Sequence, residues 1–295
     1  MQTLKSVLAD YPHTRALKEH ELTSTEVALE FVEYPTVSDA FDAMVREQEF
    51  DVCEIAVGAF LQARSFDKPL TLLPVVLAGG LHHRRLCYDS QKGILRPEDL
   101  RGKRVAIRAY SQTTGLWVRG ILAEEYGIQP ADLQWVTLEG SHAAEYVDPP
   151  NVERAPHGTK LVDLVLEGSV DAAVIGRAGR PGLVPVIPDV EDAERRWMER
   201  HGTTGINHMV CVRDDVAEDA AVVNALYRLL AAGIEGAVSD GPVSGPPSGV
   251  RFGVDRVRAA LGLATQLAYE QAMIPAIPSV DSLFPEALLD TESER

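Results

Sequence analysis

Short apolar runs alternate with segments of helical spacing along the first third of the chain. Leu4–Leu8, Val27–Val32, Val52–Val57 and Leu70–Leu77 read as buried strands, and helices are predicted near Thr14–Glu19 and Ser38–Arg46. After Tyr88 a polar connector ends in Pro97-Glu-Asp-Leu-Arg-Gly-Lys-Arg104, and the rhythm restarts. Val105–Ile107 predicts a strand, followed by a helix through about Glu125 and a strand near Leu133–Val136. Proline and charge from Gly140 to Gly158 predict a long loop, a kind of segment that often carries function. Beyond it the pattern gives a helix over Lys160–Glu167 and strands over Ala172–Ile175 and His208–Val212. A long amphipathic helix follows over Ala220–Val238, then a Gly/Pro/Ser turn cluster over Ser239–Gly249, a helix over Val254–Gln271 and a helical turn at Val280–Phe284. A strand–helix rhythm that stops once and resumes predicts two α/β units.

Size agrees with that division, since 295 residues, 45% hydrophobic and 24% charged, suit two ordinary globular domains. The formal charge of −16 argues against nucleic acid and anionic membranes as partners, because both attract basic patches. Any anionic ligand must therefore find a locally positive pocket in an acidic protein. Cys53, Cys87 and Cys211 are widely spaced inside apolar runs, which predicts buried, reduced thiols and no disulfide framework. The first residues turn polar too soon for a secretory signal, and no apolar run approaches the ~18–20 residues of a membrane span. A cytoplasmic location is the expectation, and a homo-oligomer is left open.

Arg101–Arg119 is the most informative stretch for chemistry. It reads as a strand, a polar turn at Ser111–Thr114 and a helix start, a combination whose unpaired N–H groups and partial positive charge suit a carboxylate. The common signatures of nucleotide, zinc and serine-hydrolase chemistry are missing. Among the eight histidines His82 with His83 and His201 with His208 are near neighbours, and neither pair has a carboxylate at ligand spacing, so no metal is expected.

The remaining polar candidates stand at strand ends, where open α/β sheets bind ligands. Tyr11, Thr14 and Arg15 open the first helix, for which a capped helix with a solvated arginine is the plainer account. Glu54 lies in an apolar strand and must be paired or functional, since an unpaired buried carboxylate is costly. His83 belongs to a basic cluster that a solvated turn also explains. Arg119 could equally be a surface arginine near Glu124 or Glu125, Arg177 follows the strand at Ala172–Ile175, and His208 could be a structural histidine.

Taken in order, these segments resemble the 4,5-dihydroxyphthalate decarboxylase family, itself similar to type II periplasmic binding proteins of the NMT1/THI5-like kind. The resemblance runs through Asp10-Tyr-Pro-His-Thr-Arg-Ala-Leu17, Phe50-Asp-Val-Cys-Glu54, the stretch from Gly93 to Val105, Tyr110 to Leu122, Gly168 to Val174, and Ile206 to Asp215. It implies two α/β lobes, one from residues 1–84 and 207–295 and the other from 85–206. They would be joined by crossover strands near His83–Tyr88 and Asn207–Val212, with the ligand in the cleft between them. Tyr11, Thr14, Arg15 and Glu54 would face Tyr110, Ser111, Thr113, Thr114, Arg119 and Arg177, with His83 and His208 at the hinge. One departure stands out. The family pattern carries Pro-Gly-Arg after the strand corresponding to Leu133–Val136, where this chain has Glu139-Gly-Ser-His-Ala-Ala-Glu145. The resemblance therefore points to a hydroxylated aromatic acid related to 4,5-dihydroxyphthalate.

The implied reaction is decarboxylation by protonation of a ring carbon, with no cofactor. His83 or His208 would donate the proton, and Glu54 or the other histidine would take the phenolic one. Arg15, Arg119 and Arg177 would grip the retained carboxylate. The competing expectations are a leader-less solute-binding protein for a small carboxylate, without turnover, and a biosynthetic enzyme on the same scaffold.

Overall fold

A computed structural model describes residues 1–175, 182–239 and 249–289. The first lobe is a six-stranded sheet in the order β12-β4-β11-β3-β1-β2. Its strands are β1 (Gln2–Val7), β2 (Val27–Phe31), β3 (Val52–Ala56), β4 (Leu70–Gly80), β11 (Gly205–Arg213) and β12 (Arg251–Phe252). The second lobe is a six-stranded sheet in the order β10-β5-β9-β6-β7-β8. It contains β5 (Leu86–Asp89), β6 (Arg104–Ile107), β7 (Gln134–Thr137), β8 (Val152–Arg154), β9 (Ala172–Val174) and β10 (Leu183–Pro185). Strands β1, β2 and β3 pair in parallel, as do β6, β7, β8 and β9, which is what strand–helix–strand rhythm demands. The returning strand β11 runs antiparallel between β3 and β4. This is the two-lobed type II periplasmic-binding-protein-like fold.

Helices α1 (Pro12–Lys18), α2 (Val57–Ser65), α3 (Thr113–Tyr126), α4 (Leu161–Glu167) and α5 (Val190–His201) flank the sheets. They are followed by α6 (Asp214–Ala217), α7 (Ala220–Ser239), α8 (Val254–Glu270) and α9 (Glu286–Leu289). One apolar core runs through both lobes, from Phe41, Ile55 and Phe60 to Trp117, Ile121 and Trp135, with Ala260, Ala264 and Leu267 of α8 wedged at the seam. A second core lies beneath α1 and α7, where Leu17, Leu226 and Leu230 cover Leu4, Leu73 and Val210. None of the described helices is long and apolar enough to cross a membrane.

The chain passes between the lobes from β4 to β5 and again from α5 to β11, and there the two passages touch. A β-carbon on Gly79 would lie 2.5 Å from the Gly205 carbonyl oxygen, and one on Gly205 would lie within 3.0 Å of the His82 and Trp117 rings. Only residues without a side chain let the crossings press together this closely.

Several elements depart from the expected pattern for identifiable reasons. Helix α2 escapes periodicity because residues 57–63 are buried all round. Helix α5 is mostly charged and buries only Val190, Ala193, Glu194 and Trp197. The helix expected over Ser38–Arg46 divides into a 3-10 turn at Val37–Ala40 and a π turn at Ala43–Glu47. Strand β8 lies inside the segment expected to be a long loop. Most of the Gly/Pro/Ser cluster falls outside the described residues. The three cysteines are free and buried.

Candidate active site

Helices α2 and α3 begin against each other across the two lobes. The Gly58 N–H donates to Thr113 Oγ1 at 2.9 Å. A β-carbon on Gly58 would stand 2.6 Å from the Ser111 carbonyl oxygen, so the approach requires glycine. Two helix N-termini thus share one seam, and the partial positive charge of each biases it toward anions.

Glu54 of β3 is the centre of the first-lobe wall and is fully buried. Its Oε2 accepts the Ala9 N–H at 2.9 Å, while Oε1 accepts the Tyr11 hydroxyl at 2.8 Å and lies 2.6 Å from His208 Nδ1. Burial alone would raise its pKa, but the His208 bond and charge, the Ala9 N–H and the Tyr11 hydroxyl together hold it below the ordinary carboxylate range. An ionised carboxylate can only accept, so the hydrogen on His208 sits at Nδ1. The other ring nitrogen, Nε2, makes no hydrogen bond among the described residues, and the His208 side chain is 24% exposed. Burial and Glu54 raise the Tyr11 pKa, which keeps that hydroxyl a donor.

The position of His208 depends on a β-bulge. Between β11 and β4, Ile206 pairs Gly79 and His208 pairs Ala78, leaving Asn207 as the extra residue. Asn207 then reaches the second lobe: its Nδ2 donates to Thr114 Oγ1 at 3.2 Å and its Oδ1 lies 2.6 Å from His82 Nε2. Adjacent residues of one strand therefore serve opposite walls of the seam.

At the outer rim the segment that departs from the family pattern joins the lobes. His142 Nδ1 lies 2.7 Å from Asp42 Oδ1, and Arg46 Nε donates to the His142 carbonyl at 3.0 Å. Lys68 Nζ meets Glu145 Oε1 at 2.6 Å, and Ser141 Oγ donates to Gln62 Oε1. A cavity of about 330 Å³ lies under this rim, lined in part by Ser38, Asp42, Arg46, Arg108 and His142. The buried Phe41 ring stands edge-on to both His142 and His208, with centroids 5.4 and 5.6 Å away, so rim and dyad share one packing partner.

The structure gathers part of the expected set. Glu54, His208 and Tyr11 form one cluster, and Ser111, Thr113 and Thr114 are buried at the start of α3. Thr14 is also buried, but its hydroxyl is engaged with the Ala9 carbonyl at 2.6 Å and the Tyr11 N–H at 2.9 Å, which makes it a cap of α1. Arg15 is exposed and paired with Asp10 at 3.2 Å, away from the cluster. Arg119 is not on a surface: it lies beneath α3 over the Tyr110 ring, and Tyr110 is itself buried and edge-on to Trp135. Arg15 and Arg119 therefore form no common grip, because one is held by a local acid and the other by the core. Arg177 lies outside the described residues.

His83 also departs from expectation. It is enclosed by Trp197 at 5.8 Å and by Glu125 at 3.6 Å, among second-lobe residues, and shares no neighbour with Glu54. Burial first, and the nearby Arg196 and Arg84 charges, push its pKa down to about 4; burial pushes His82 down to about 3. Both are neutral structural histidines. The unfolded chain takes up these protons first as pH falls below the ordinary 6.5, so stability is fully present above 6.5 and declines as pH drops toward 4. Urea unfolding at pH 7 and pH 5 is expected to show a loss of roughly 1 kcal/mol per histidine per pH unit. The loss should shrink in His83→Gln, and equal stability at the two pH values would contradict this account.

Residues that the sequence pattern did not single out for the site are Asn207, His142, Asp42 and His13. His13 is buried and stacked on Tyr11 at 5.0 Å, with neither ring nitrogen hydrogen-bonded. Its place beside Tyr11 in the opening turn of α1 was the available signal.

No family model matches the chain. It is 28% identical over 200 residues to a 4,5-dihydroxyphthalate decarboxylase from Comamonas testosteroni, a match covering 61% of this chain and 59% of that protein. It is 26% identical over 173 residues to a 4,5-dihydroxyphthalate decarboxylase from Pseudomonas putida, covering 54% of this chain and 67% of that protein. The chain thus spans under two thirds of the length of the Comamonas relative. Among solved structures, the periplasmic aliphatic sulphonate binding protein SsuA from Escherichia coli superposes with a TM-score of 0.58 at 16% identity, over 98% of this chain and 99% of that one. The resemblance read from the residues holds on both counts: similarity in sequence to these decarboxylases, and in fold to periplasmic binding proteins.

Proposed function

We propose that the protein is a carboxy-lyase that removes carbon dioxide from a hydroxylated aromatic carboxylate, such as 4,5-dihydroxyphthalate, by protonating the ring carbon that bears the carboxylate. The observation that carries this reading is the Glu54–His208 dyad at the seam between the lobes, with Nε2 unbonded among the described residues, in a chain similar to proteins named as decarboxylases. Direct loss of carbon dioxide would leave an unstabilised aryl anion, so an acid must deliver a proton. His208 is that acid. Glu54 holds its Nδ1–H and stabilises the imidazolium, and Nε2–H faces the ring.

In 4,5-dihydroxyphthalate each carboxylate lies para to a hydroxyl. Loss of that hydroxyl's proton to solvent water pushes an electron pair onto the carbon bearing the carboxylate, which takes the proton from Nε2; the product phenolate regains its proton from solvent. The carbon–carboxylate bond then breaks, its electron pair restores the aromatic ring, and carbon dioxide leaves. The product is protocatechuate, and one proton is consumed overall. The helix starts at α2 and α3, with the Ser111 and Thr113 hydroxyls, orient the carboxylate that remains.

Incubation with 4,5-dihydroxyphthalate in deuterium oxide tests the reading. The expected result is carbon dioxide and protocatechuate carrying one deuterium at the vacated carbon. Tight binding with no carbon dioxide released would instead favour capture without turnover, the role named for the sulphonate-binding neighbour of the same fold.

A further inference from the structure

Arg119 is a buried charge with no formal counter-charge among the described residues. It is 1% exposed, and none of its nitrogens lies within salt-bridge distance of a carboxylate among the described residues. Its Nε donates to Gln271 Oε1 at 2.6 Å and its Nη2 to the Tyr110 carbonyl at 2.8 Å, with Met273 Sδ at 3.3 Å from Nη2. Nη1 is buried and has no hydrogen-bond partner. The guanidinium stacks 4.1 Å from the Tyr110 ring centre and 5.4 Å from that of Trp135. The acid nearest in effect is Asp148, which is paired with Arg154 at 3.2 Å.

Every formal partner of Arg119 is thus neutral. A buried cation held only by neutral groups opposes folding, and an apolar side chain of similar length would remove that penalty while leaving Gln271 Oε1 and the Tyr110 carbonyl unpaired, two costs that offset one another. Its location gives the charge a use. Nη1 would lie 3.0 Å from a β-carbon on Gly115, in the first turn of α3, and Nη2 binds the carbonyl that precedes Ser111. The positive charge therefore sits directly under the helix start that faces Gly58, and the protein interior screens it weakly.

We propose that Arg119 is a positioning residue that acts on a bound anion through space: it adds its charge to the α3 N-terminus and never touches the ligand. The counter-charge it lacks is the carboxylate of the substrate. This rests on the reading of the seam as an anion site and extends it, by assigning the affinity for carboxylate to a buried field in place of a direct arginine grip.

Phthalate binding by titration calorimetry, together with melting of the ligand-free protein, tests it on wild type, Arg119→Met and Arg119→Lys. Arg119→Met is expected to melt close to the wild-type temperature while binding phthalate on the order of tenfold or more weakly. Arg119→Lys is expected to recover most of that affinity. A marked fall in the melting point of ligand-free Arg119→Met would make the guanidinium a structural strut and overturn the proposal, as would unchanged phthalate affinity in that variant. If wild type itself binds neither phthalate nor benzoate, the seam is not an anion site and the proposal falls with that reading. Binding without decarboxylation would leave the role of Arg119 standing while the enzymatic reading fails.

Discussion

His208→Gln is expected to lower kcat by roughly 10²–10⁴-fold while leaving the affinity for an aromatic carboxylate nearly unchanged. Glutamine keeps a side-chain amide within reach of Glu54 but cannot supply an acidic proton at the Nε2 position. On the proposed reading the carboxylate is held at the helix starts and by the Ser111 and Thr113 hydroxyls, groups that the substitution does not touch. Initial rates of protocatechuate formation, set beside calorimetric titration of a non-reacting phthalate, separate the two effects. A variant with wild-type turnover would remove His208 from the reaction. The same comparison on His83→Gln should show near-normal rates at neutral pH, since that ring is walled off by Trp197 and Glu125.

The second large effect is expected from Glu54→Gln. Three donors converge on this carboxylate: the Ala9 N–H, the Tyr11 hydroxyl and His208 Nδ1–H. A glutamine amide must turn its NH₂ toward one side. Facing Ala9, it sets its own N–H against the Ala9 N–H. Facing His208, it forces Nδ1 to become the acceptor, moves the hydrogen to Nε2 and removes the negative charge that stabilises the imidazolium. A carboxylate-to-amide change behind a catalytic histidine has been worth up to about 10⁴-fold in kcat where the tautomer inverts. The unmatched buried donor should also lower stability by about 1–3 kcal/mol. Denaturant titration and single-turnover rates check the two parts, and a variant that is fully active with unchanged stability would rule out the orienting role.

How much of this was legible beforehand differs from residue to residue. Glu54 could be singled out because a charge inside Val52–Val57 has to be reconciled with burial, and the parallel strand rhythm of both lobes followed from apolar runs. Its pairing with His208 could not, because 154 positions separate the two and the bulge at Asn207 is set by tertiary packing of β11 against β4. Arg119 illustrates the opposite error. An arginine on a helix is ordinarily solvated, yet residues 113–122 are buried on every side, and a segment apolar in nearly all directions signals an interior helix whose single charge is enclosed. Arg15 looked equivalent in sequence, but the adjacent Asp10 claims it. His142 gave no periodic signal because it belongs to an irregular segment whose partners lie in the other lobe.

That segment has a further consequence. The dyad is anchored in a sheet, where a substitution disturbs a packed core, whereas the rim contacts of Ser141, His142 and Glu145 are made by side chains on an irregular stretch outside the sheets. On the proposed reading, aperture and chemistry are thus carried by separable parts of the chain. Natural drift or deliberate grafting can reshape which rings gain entry, and how long they stay, without rebuilding the groups that move the proton.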